Sequence, residues 1–476
     1  MKSDGPTIGL EDMASRLRDA IGPTFVRVGG QVPERNGADA SRLPPIAPSI
    51  LATPDTTEAV SQVLRLCSEA HWPVVVQGGL TGLAGGAHPK GTEVALSLER
   101  MTGIEEIDPV AGTLTARAGT ILQVVQQAAV EAGFLCGIDL GARGSCTIGG
   151  NVATNAGGNR VLRYGMTRHN VLGLEAVLAD GTIVTSLNKM LKNNAGYDWT
   201  QMFIGSEGTL GVVTRVVLGL HPLPGDISAA FLKVSDFAAA VAVQRALERA
   251  LPGRLMAFEA MWPEVMAMSE RCFGLKSPFA SHDGIALLVE VEASESEVDA
   301  LEGCLMGLVD QGVVQDAFLA RSEADRLGFW KFRETPYEYR SKFGTMVSFD
   351  ISLPRALLEE AVGTIRNRVL DMWPDTVVAV FGHLADSNLH VILLRVDETL
   401  GGYEAVESVV YGTVGEFGGS ISAEHGIGRK KRAFLHLSRS PAEIALMERV
   451  KAALDPGRIL NRDRVLGGRE VHSSGP

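Results

Sequence analysis

The spacing of apolar residues changes along the chain, and the period of that spacing predicts where helices and strands form. Apolar positions recur at helical spacing from Thr56 to Cys67, whereas Pro73 to Val76 is uniformly apolar, as in a buried strand. The same criteria predict a helix at Leu10–Ile21, a strand at Leu114–Ala118, a helix at Ile121–Ala132 and a hairpin at Val171–Thr185. This mixture of strands and helices predicts an α+β domain.

A cluster of breaker residues at His221–Gly225 ends this domain. Beyond it, short strands alternate with long helices, and Val347, Phe349 and Ile351 share one face of a predicted strand. This pattern predicts an antiparallel sheet backed by helices. The predicted divisions are an N-terminal helix and loop at 1–44, an α+β domain at 45–224, a sheet-and-helix domain at 225–435 and a C-terminal segment at 436–476.

Length and charge narrow the class of protein. The chain of 476 residues is long enough for two or three domains, and its net charge of −12 repels nucleic acid and anionic lipid. No run approaches the roughly 18 apolar residues of a membrane-spanning helix, and the N-terminus lacks the pattern of a targeting peptide. The five cysteines lack metal-site spacing and indicate reduced thiols in a cytoplasmic protein. The one dense basic run, Arg429–Arg432, has two interpretations, an anion-binding patch and a solvated helix face.

Three glycine-rich clusters mark the first domain, at Gln77–Gly86, Gly141–Asn151 and Gly205–Gly211. Glycine lets the backbone approach a ligand closely, and successive amides in such a loop form a concavity for anions such as a dinucleotide pyrophosphate. The nicotinamide fingerprint G-x-G-x-x-G is absent. The clusters therefore predict a dinucleotide held by another architecture, with plain turn geometry as the alternative.

Histidines and a carboxylate recur in the second domain. His383 and His390 bracket a loop between two predicted strands, and Glu424 precedes His425 further along. Two imidazoles and a carboxylate suit zinc or manganese, and three protein ligands leave a coordination position open, as in catalytic sites. His425 would then act on substrate. The alternatives are ordinary loop histidines satisfied by backbone carbonyls, and a zinc hydrolase.

Six motifs occur in order between roughly residues 45 and 465: VVVQGGLTGLAGGA, GSCTIGGNVATNAGGNRVLRYG, FIGSEGTLGVVTR, FGHLADSNLH, SAEHGIGRKKR and LDPGRILN. With these motifs the chain resembles the flavin-dependent enzymes of the vanillyl-alcohol oxidase / p-cresol methylhydroxylase (PCMH) fold, in the branch that acts on D-2-hydroxy acids. The resemblance implies a two-domain α+β fold. Residues 45–224 would be an FAD-binding PCMH-type domain, 225–435 an antiparallel-sheet substrate (cap) domain, and 436–476 a segment returning to the FAD domain.

The resemblance implies non-covalent FAD, because no His or Cys occupies the glycine loop where relatives attach the flavin. It places the pyrophosphate at the first glycine cluster, the flavin and ribityl side at the second, and the C-terminal asparagine back at the flavin. The implied FAD contacts are Gly78, Gly79, Leu80, Thr81, Gly82, Ser145, Thr147, Gly149, Gly150, Asn151, Val212 and Asn461.

The resemblance also implies catalytic residues. It maps a metal onto His383, His390 and Glu424, the proton-abstracting base onto His425, and the arginine that binds the substrate carboxylate onto Arg333. Such a set suits the oxidation of a 2-hydroxy acid. The metal lowers the pKa of the hydroxyl, the histidine takes its proton and the planar guanidinium binds the carboxylate.

The chain departs from the family pattern at three places. Relatives selective for D-2-hydroxyglutarate carry Thr, Lys and Asn where this chain has Tyr337, Ser348 and Ile392, which favours a smaller substrate of the D-lactate type. The histidine loop usually reads Gly-Asp-Gly-Asn, whereas this chain has Ala385-Asp386-Ser387-Asn388 and lacks both glycines. The tail reads Asn461-Arg462-Asp463-Arg464 in place of Asn-Pro-Gly-Lys. The asparagine is kept, but the sequence does not predict the conformation of the turn that follows it.

Arg340 offers an alternative substrate. It follows Arg333 by seven residues, on nearly the same helix face if Pro336 does not break the helix, and would bind the second carboxylate of D-2-hydroxyglutarate or D-malate. Electrons would pass from reduced FAD to a separate acceptor, namely a quinone, a cytochrome or an electron-transfer flavoprotein. The sequence does not fix the oligomeric state, for which a homodimer is one alternative, and a non-catalytic subunit of a glycolate oxidase-like complex is the remaining functional alternative. The expected substrate contacts are Arg333, Tyr337, Arg340, Ser348 and Asn388.

Overall fold

The structure, a computed structural model, describes residues 6–396 and 402–467, so the outer ends of the predicted segments 1–44 and 436–476 lie outside the described residues. The chain forms two compact units. The first comprises the described residues of Met1–Gly158, Tyr164–Leu223 and Glu424–Pro476, and the second those of Asn159–Arg163 and Pro224–Ala423.

The helices and strands follow the predicted pattern closely. The helices are α1 (Leu10–Ile21), α2 (Thr57–Glu69), α3 (Leu122–Glu131), α4 (Ile148–Thr154), α5 (Val161–Tyr164), α6 (Thr167–Asn170), α7 (Thr200–Phe203), α8 (Phe237–Ala250), α9 (Pro263–Phe273), α10 (Glu295–Asp310), α11 (Glu323–Phe343), α12 (Leu358–Met372), α13 (Gly402–Glu416) and α14 (Pro441–Leu454). The strands are β1 (Val26–Val28), β2 (Ile50–Ala52), β3 (Val74–Gln77), β4 (Val94–Ser97), β5 (Ile104–Asp108), β6 (Thr113–Arg117), β7 (Phe134–Leu135), β8 (Val171–Val177), β9 (Ile183–Ser186), β10 (Val212–Gly219), β11 (His221–Pro222), β12 (Ile227–Val234), β13 (Leu255–Met261), β14 (Ile285–Glu292), β15 (Val314–Leu319), β16 (Met346–Ser352), β17 (Val377–His383) and β18 (Asn388–Leu394). No helix within the described ranges is both long enough and apolar enough to cross a membrane.

The first unit is built on two main sheets. One has the order β1-β2-β4-β3, in which β2, β4 and β3 are parallel and β1 is antiparallel; the other is antiparallel with the order β5-β6-β10-β8-β9. Helix α2 begins where Thr56 accepts a hydrogen bond from the Ala59 amide, and it buries Val60, Val63 and Leu64. Its apolar stripe therefore faces the core, as the helical spacing predicts.

The C-terminal segment completes the core of the first unit. Ile459 and Leu460 are fully buried in the same apolar cluster as Val74 of β3. The Asn461 amide donates to the Val74 carbonyl at 2.8 Å. The buried ammonium of Lys451 donates to the carbonyls of Thr209 and Leu460 at 2.6 and 2.8 Å. The chain is thus held to β3 by backbone bonds and by a cation that has carbonyl partners.

The return to the first unit begins earlier than predicted. The division lies at Glu424, so residues 424–435, predicted in the sheet-and-helix domain, belong to the first unit. The reason is that the Glu207 carboxylate accepts the amides of Ile427 and Gly428 at 2.7 and 2.8 Å. The basic run lies in this segment and is not a solvated helix face, because Lys431 is buried.

The second unit is one sheet covered by helices. Its seven strands have the order β15-β12-β14-β13-β17-β18-β16, and every pairing among them is antiparallel, as predicted. Helices α9 and α11 pack on one face, where Phe332 and Tyr339 join Phe381 and Ile392 in an apolar cluster. Helix α11 continues through Pro336. Arg333 and Arg340 therefore lie on one unbroken helix, as the alternative substrate requires.

Candidate functional site

Strands β17 and β18 form a hairpin that carries both predicted metal-binding histidines. His383 ends β17 opposite Asn388, and His390 lies opposite Phe381. The two imidazole centres are 5.6 Å apart, and both side chains are buried. Because alternate residues of a strand share a face, His383 and Phe381 project toward the side that α11 covers. The histidines therefore lie side by side at one end of the sheet.

A buried carboxylate, Glu259 of β13, contacts one of these histidines and the predicted substrate arginine. Its Oε1 lies 2.6 Å from His383 Nδ1, and its Oε2 accepts from Arg333 Nε at 2.7 Å. Burial raises the pKa of Glu259, but the charges of His383 and Arg333 outweigh burial and lower it to about 2. Glu259 is therefore an anion and can only accept. It follows that His383 Nδ1 carries a hydrogen, so only Nε2 of this ring can act as a metal ligand.

Arg333 of α11 has one donor without a partner. Its Nη1 donates to the Tyr337 hydroxyl at 3.1 Å, and its guanidinium carbon lies 4.7 Å from the centre of the Phe381 ring. Burial lowers the pKa of Arg333, but Tyr337 and Glu259 raise it above the ordinary value, so the group is a cation. Its Nη2 is buried and has no hydrogen-bond acceptor among the described residues. A buried donor left unsatisfied is costly, and an anionic acceptor would remove that cost.

The other predicted substrate residues lie in the same unit. Tyr337 is 63% exposed on α11, and Ser348 is exposed on β16, directly opposite the buried Ile392 of β18. Asn388 is buried beside the histidine hairpin. Arg340 is partly exposed, and its guanidinium makes no hydrogen bond or ion pair with the part of the chain that the structure describes.

The loop between the histidines contains a strained residue. Ser387 has φ 67° and ψ 17°, the left-handed conformation, at a position where the family pattern has glycine. A side chain in this conformation costs about 1 kcal/mol or more. We therefore expect Ser387→Gly to raise the free energy of unfolding by up to about 1 kcal/mol, measured by urea denaturation. Ser387→Ala is the control, because it keeps the Cβ atom; a glycine variant no more stable than the alanine variant would contradict the account.

In the first unit, the loop at 78–86 lies against residues 145–150, where the second glycine cluster enters helix α4. A Cβ atom on Gly79 would lie 2.1 Å from the Ser145 carbonyl oxygen, and one on Gly78 would lie 2.6 Å from Thr147 Oγ1. Glycine is therefore required at both positions for this close approach. The backbone N–H groups of residues 78–86 have no hydrogen-bond acceptor among the described residues. A run of such amides fits an anionic group such as a pyrophosphate.

The third glycine cluster holds the segment that carries Glu424 and His425. Besides binding the amides of residues 427 and 428, Glu207 accepts from Asn461 Nδ2 through its backbone carbonyl at 2.6 Å. Asn461 Oδ1 accepts from the Val76 amide at 2.8 Å. Glu424 Oε1 accepts from the Gly158 amide at 2.8 Å. Asn461 thus joins the C-terminal segment to β3 and to the third cluster, and its contact with a flavin stays a prediction.

The predicted site residues divide between the two units. Arg333, Tyr337, Arg340, Ser348, His383, Asn388 and His390 lie in the second unit, and Glu424, His425 and the predicted FAD contacts lie in the first. Glu259 and Glu207 were not predicted from the sequence. The available signals were a lone glutamate in the otherwise apolar run Leu255–Met261, and a carboxylate between two glycines at 205–208.

Comparison with known proteins adds the family context. Residues 48–186 match the family described as "FAD binding domain", and residues 223–465 match "FAD linked oxidases, C-terminal domain". The chain is 41% identical over 420 residues to the mitochondrial D-2-hydroxyglutarate dehydrogenase of Bos taurus, covering 88% of this chain and 76% of that protein. It is 36% identical over 447 residues to a D-2-hydroxyglutarate dehydrogenase of Xanthomonas citri pv. viticola, covering 93% of each.

Two further likenesses concern a related enzyme and the fold. The chain is 35% identical over 420 residues to a putative mitochondrial D-lactate dehydrogenase of Schizosaccharomyces pombe, covering 86% of this chain and 80% of that protein. Among solved structures it is similar to p-cresol methylhydroxylase with substrate bound, at a TM-score of 0.75 and 17% identity, covering 96% of each chain. The predicted PCMH-type α+β fold is thereby confirmed.

Proposed function

This chain belongs to the FAD-dependent D-2-hydroxy acid dehydrogenases, and we propose that it oxidises an acid of the D-lactate type to the corresponding 2-oxo acid. The observation that carries the proposal is the buried Nη2 of Arg333, which has no acceptor among the described residues. A substrate carboxylate supplies that acceptor, and charge-assisted bonds to a guanidinium are strong. Ser348 and Ile392 offer only a hydroxyl and an alkyl surface, which supports a short or weakly polar substrate side chain.

The proposed reaction assigns one task to each group. Arg333 binds the carboxylate, and His425 takes the hydroxyl proton while the hydrogen on the α-carbon leaves as hydride. FAD, when bound, supplies the ring that accepts the hydride. The proposed contacts for FAD are the twelve residues assigned from the resemblance, and the unsatisfied amides of residues 78–86 support its pyrophosphate end.

We also propose a divalent metal at His383, His390 and Glu424, with zinc favoured and manganese as the alternative. A metal held there supplies a Lewis acid that lowers the pKa of the substrate hydroxyl. The donor set fits, because two imidazoles and a carboxylate are ordinary zinc ligands. The hydrogen bond from His383 Nδ1 to Glu259 supports the assignment, because it leaves Nε2 as the ring nitrogen that would bind the metal.

A second candidate substrate is a dicarboxylic acid, D-2-hydroxyglutarate or D-malate. The observation that favours it is Arg340, which is partly exposed and whose guanidinium lacks a hydrogen-bond or ion-pair partner in the described chain. Since α11 is continuous, Arg340 lies two turns from Arg333 and within about 20° of the same helix face. The relatives named D-2-hydroxyglutarate dehydrogenase are consistent with this candidate.

The test is anaerobic bleaching of the visible flavin absorption by D-lactate, L-lactate, D-malate and D-2-hydroxyglutarate. We expect D-lactate to bleach the flavin fastest at equal concentration and L-lactate to give no bleaching. Faster reaction with D-2-hydroxyglutarate, lost selectively in Arg340→Met, would establish the second candidate. Absence of bleaching by every D-acid would contradict the proposed function.

The electrons are proposed to leave FAD for a separate quinone, cytochrome or electron-transfer flavoprotein. Homodimer formation and a cytoplasmic location stay predictions. The Bos taurus and Schizosaccharomyces pombe relatives carry the word mitochondrial in their names, which is a statement about those proteins.

A further inference from the structure

We infer that Glu259 is a positioning residue that couples the metal-binding histidine to the substrate-binding arginine. The inference rests on the proposed function, because it takes the roles of His383 and Arg333 from there. A single carboxylate uses Oε1 for His383 at 2.6 Å and Oε2 for Arg333 at 2.7 Å, with a side chain that is 1% exposed. The orientations of the two groups therefore depend on one rigid anion.

A second carboxylate in the same sheet, Glu290, binds only groups of α11 and serves as a comparison for Glu259. Glu290 of β14 accepts from Arg326 Nη1 and Trp330 Nε1, both at 2.6 Å, and both donors belong to α11. Glu290 is almost as buried as Glu259, and Arg326 precedes Arg333 by seven residues on α11. Glu290 thus holds the helix to the sheet with both of its partners.

Glu259 differs from Glu290 in its second hydrogen-bond partner. Its remaining oxygen holds an imidazole at the end of β17 instead of a further group of α11. Fastening of the helix therefore does not account for the His383 bond. A carboxylate that receives the Nδ1 hydrogen of a metal-binding histidine fixes its tautomer and ring orientation, and its loss commonly weakens metal binding by about 10- to 100-fold.

The substrate chemistry explains why one residue would hold both groups. In a 2-hydroxy acid the carboxylate and the hydroxyl are attached to adjacent carbons, so the groups that recognise them must keep a fixed separation. Productive geometry tolerates shifts of only about 0.5 Å. The Phe381 ring supports the same arrangement, since its centre lies 4.7 Å from the Arg333 guanidinium carbon and 5.1 Å from the His390 ring centre.

The test compares Glu259→Gln with Glu290→Gln in the FAD-loaded enzyme. Glutamine keeps the size of glutamate but has one acceptor oxygen and one NH2 group. If its oxygen accepts from Arg333, His383 Nδ1 either loses its acceptor or takes the opposite tautomer, with its hydrogen on Nε2. We expect Glu259→Gln to weaken zinc binding about 10- to 100-fold, measured without substrate by competition with a chromogenic chelator. We also expect its KM for D-lactate to rise about tenfold. Glu290→Gln should keep both quantities within about threefold of the wild type.

Two outcomes would overturn the inference. One is a folded, FAD-containing Glu259→Gln enzyme in which either quantity stays within threefold of the wild type, and the other is equal effects from Glu290→Gln. If the glutamine variant does not fold, Glu259→Asp replaces it, because aspartate keeps the charge but is one methylene shorter. The same threefold limit then applies to its zinc affinity and to its KM for D-lactate. A wild type that no D-2-hydroxy acid reduces contradicts the proposed function instead, while zinc competition still reports on the Glu259–His383 bond.

Discussion

Replacing His425 with alanine is expected to lower the rate constant for flavin reduction by D-lactate by about 100- to 10,000-fold. In the proposed reaction this imidazole is the base, so without it nothing takes the hydroxyl proton as the α-carbon hydrogen departs. The dissociation constant for D-lactate should change much less, because Arg333 is the proposed carboxylate-binding group. Rapid mixing under anaerobic conditions measures both quantities from the loss of flavin absorption.

His436→Ala is the matched control for this variant. His436 is an exposed histidine eleven residues further along the same returning segment, with its Nδ1 bonded to the Ala433 carbonyl at 2.9 Å. Its replacement should leave the rate of flavin reduction within about twofold. An unchanged rate in the His425 variant would exclude this histidine from proton transfer.

Replacing Arg333 with lysine is expected to lower kcat/KM for D-lactate by about 100-fold, chiefly through KM. Lysine keeps the positive charge but loses the planar fork, and hydrogen bonds to charged groups contribute about 1.5–3 kcal/mol each. The ammonium also cannot satisfy Glu259 Oε2, the Tyr337 hydroxyl and a substrate carboxylate with the same geometry. Steady-state kinetics over a wide range of D-lactate concentrations separates KM from kcat.

Arg326→Lys provides the comparison, because Arg326 lies on the same helix and pairs with Glu290 and Glu323. It should lower stability slightly and leave KM within about threefold. If Arg333→Lys and Arg326→Lys lower kcat/KM equally, the loss comes from altered packing of helix α11 and not from weaker binding of the substrate carboxylate.

The elements were predictable where burial follows from local spacing. Helix α1 was predicted with its observed bounds, and α2 to within two residues at each end, because one stripe of each helix is apolar and faces the core. The histidine hairpin was recognisable for the same reason, since two apolar runs flank a short polar loop. Sheet order and the start of the returning segment were not, because they depend on pairings between distant residues.

The site was predictable only where a motif is contiguous. His383 and His390 lie seven residues apart in one loop, whereas Glu259 reaches His383 across 124 residues and Arg333 across 74. A glutamate inside an apolar strand indicates that some buried cation or donor must pair with it, but not which one. Glu207 presents the same difficulty, since its partners at 427 and 428 are 220 and 221 residues away.

The late return of the chain to the first unit affects how the protein is made. Val74 of β3 pairs with Leu460, so this core gains its last buried side chains only when the ribosome has synthesised most of the chain. Residues 224–423 are continuous and emerge complete before that point. We therefore expect the first unit to finish folding only after the second unit has been synthesised. Until then its apolar surface stays accessible to chaperones.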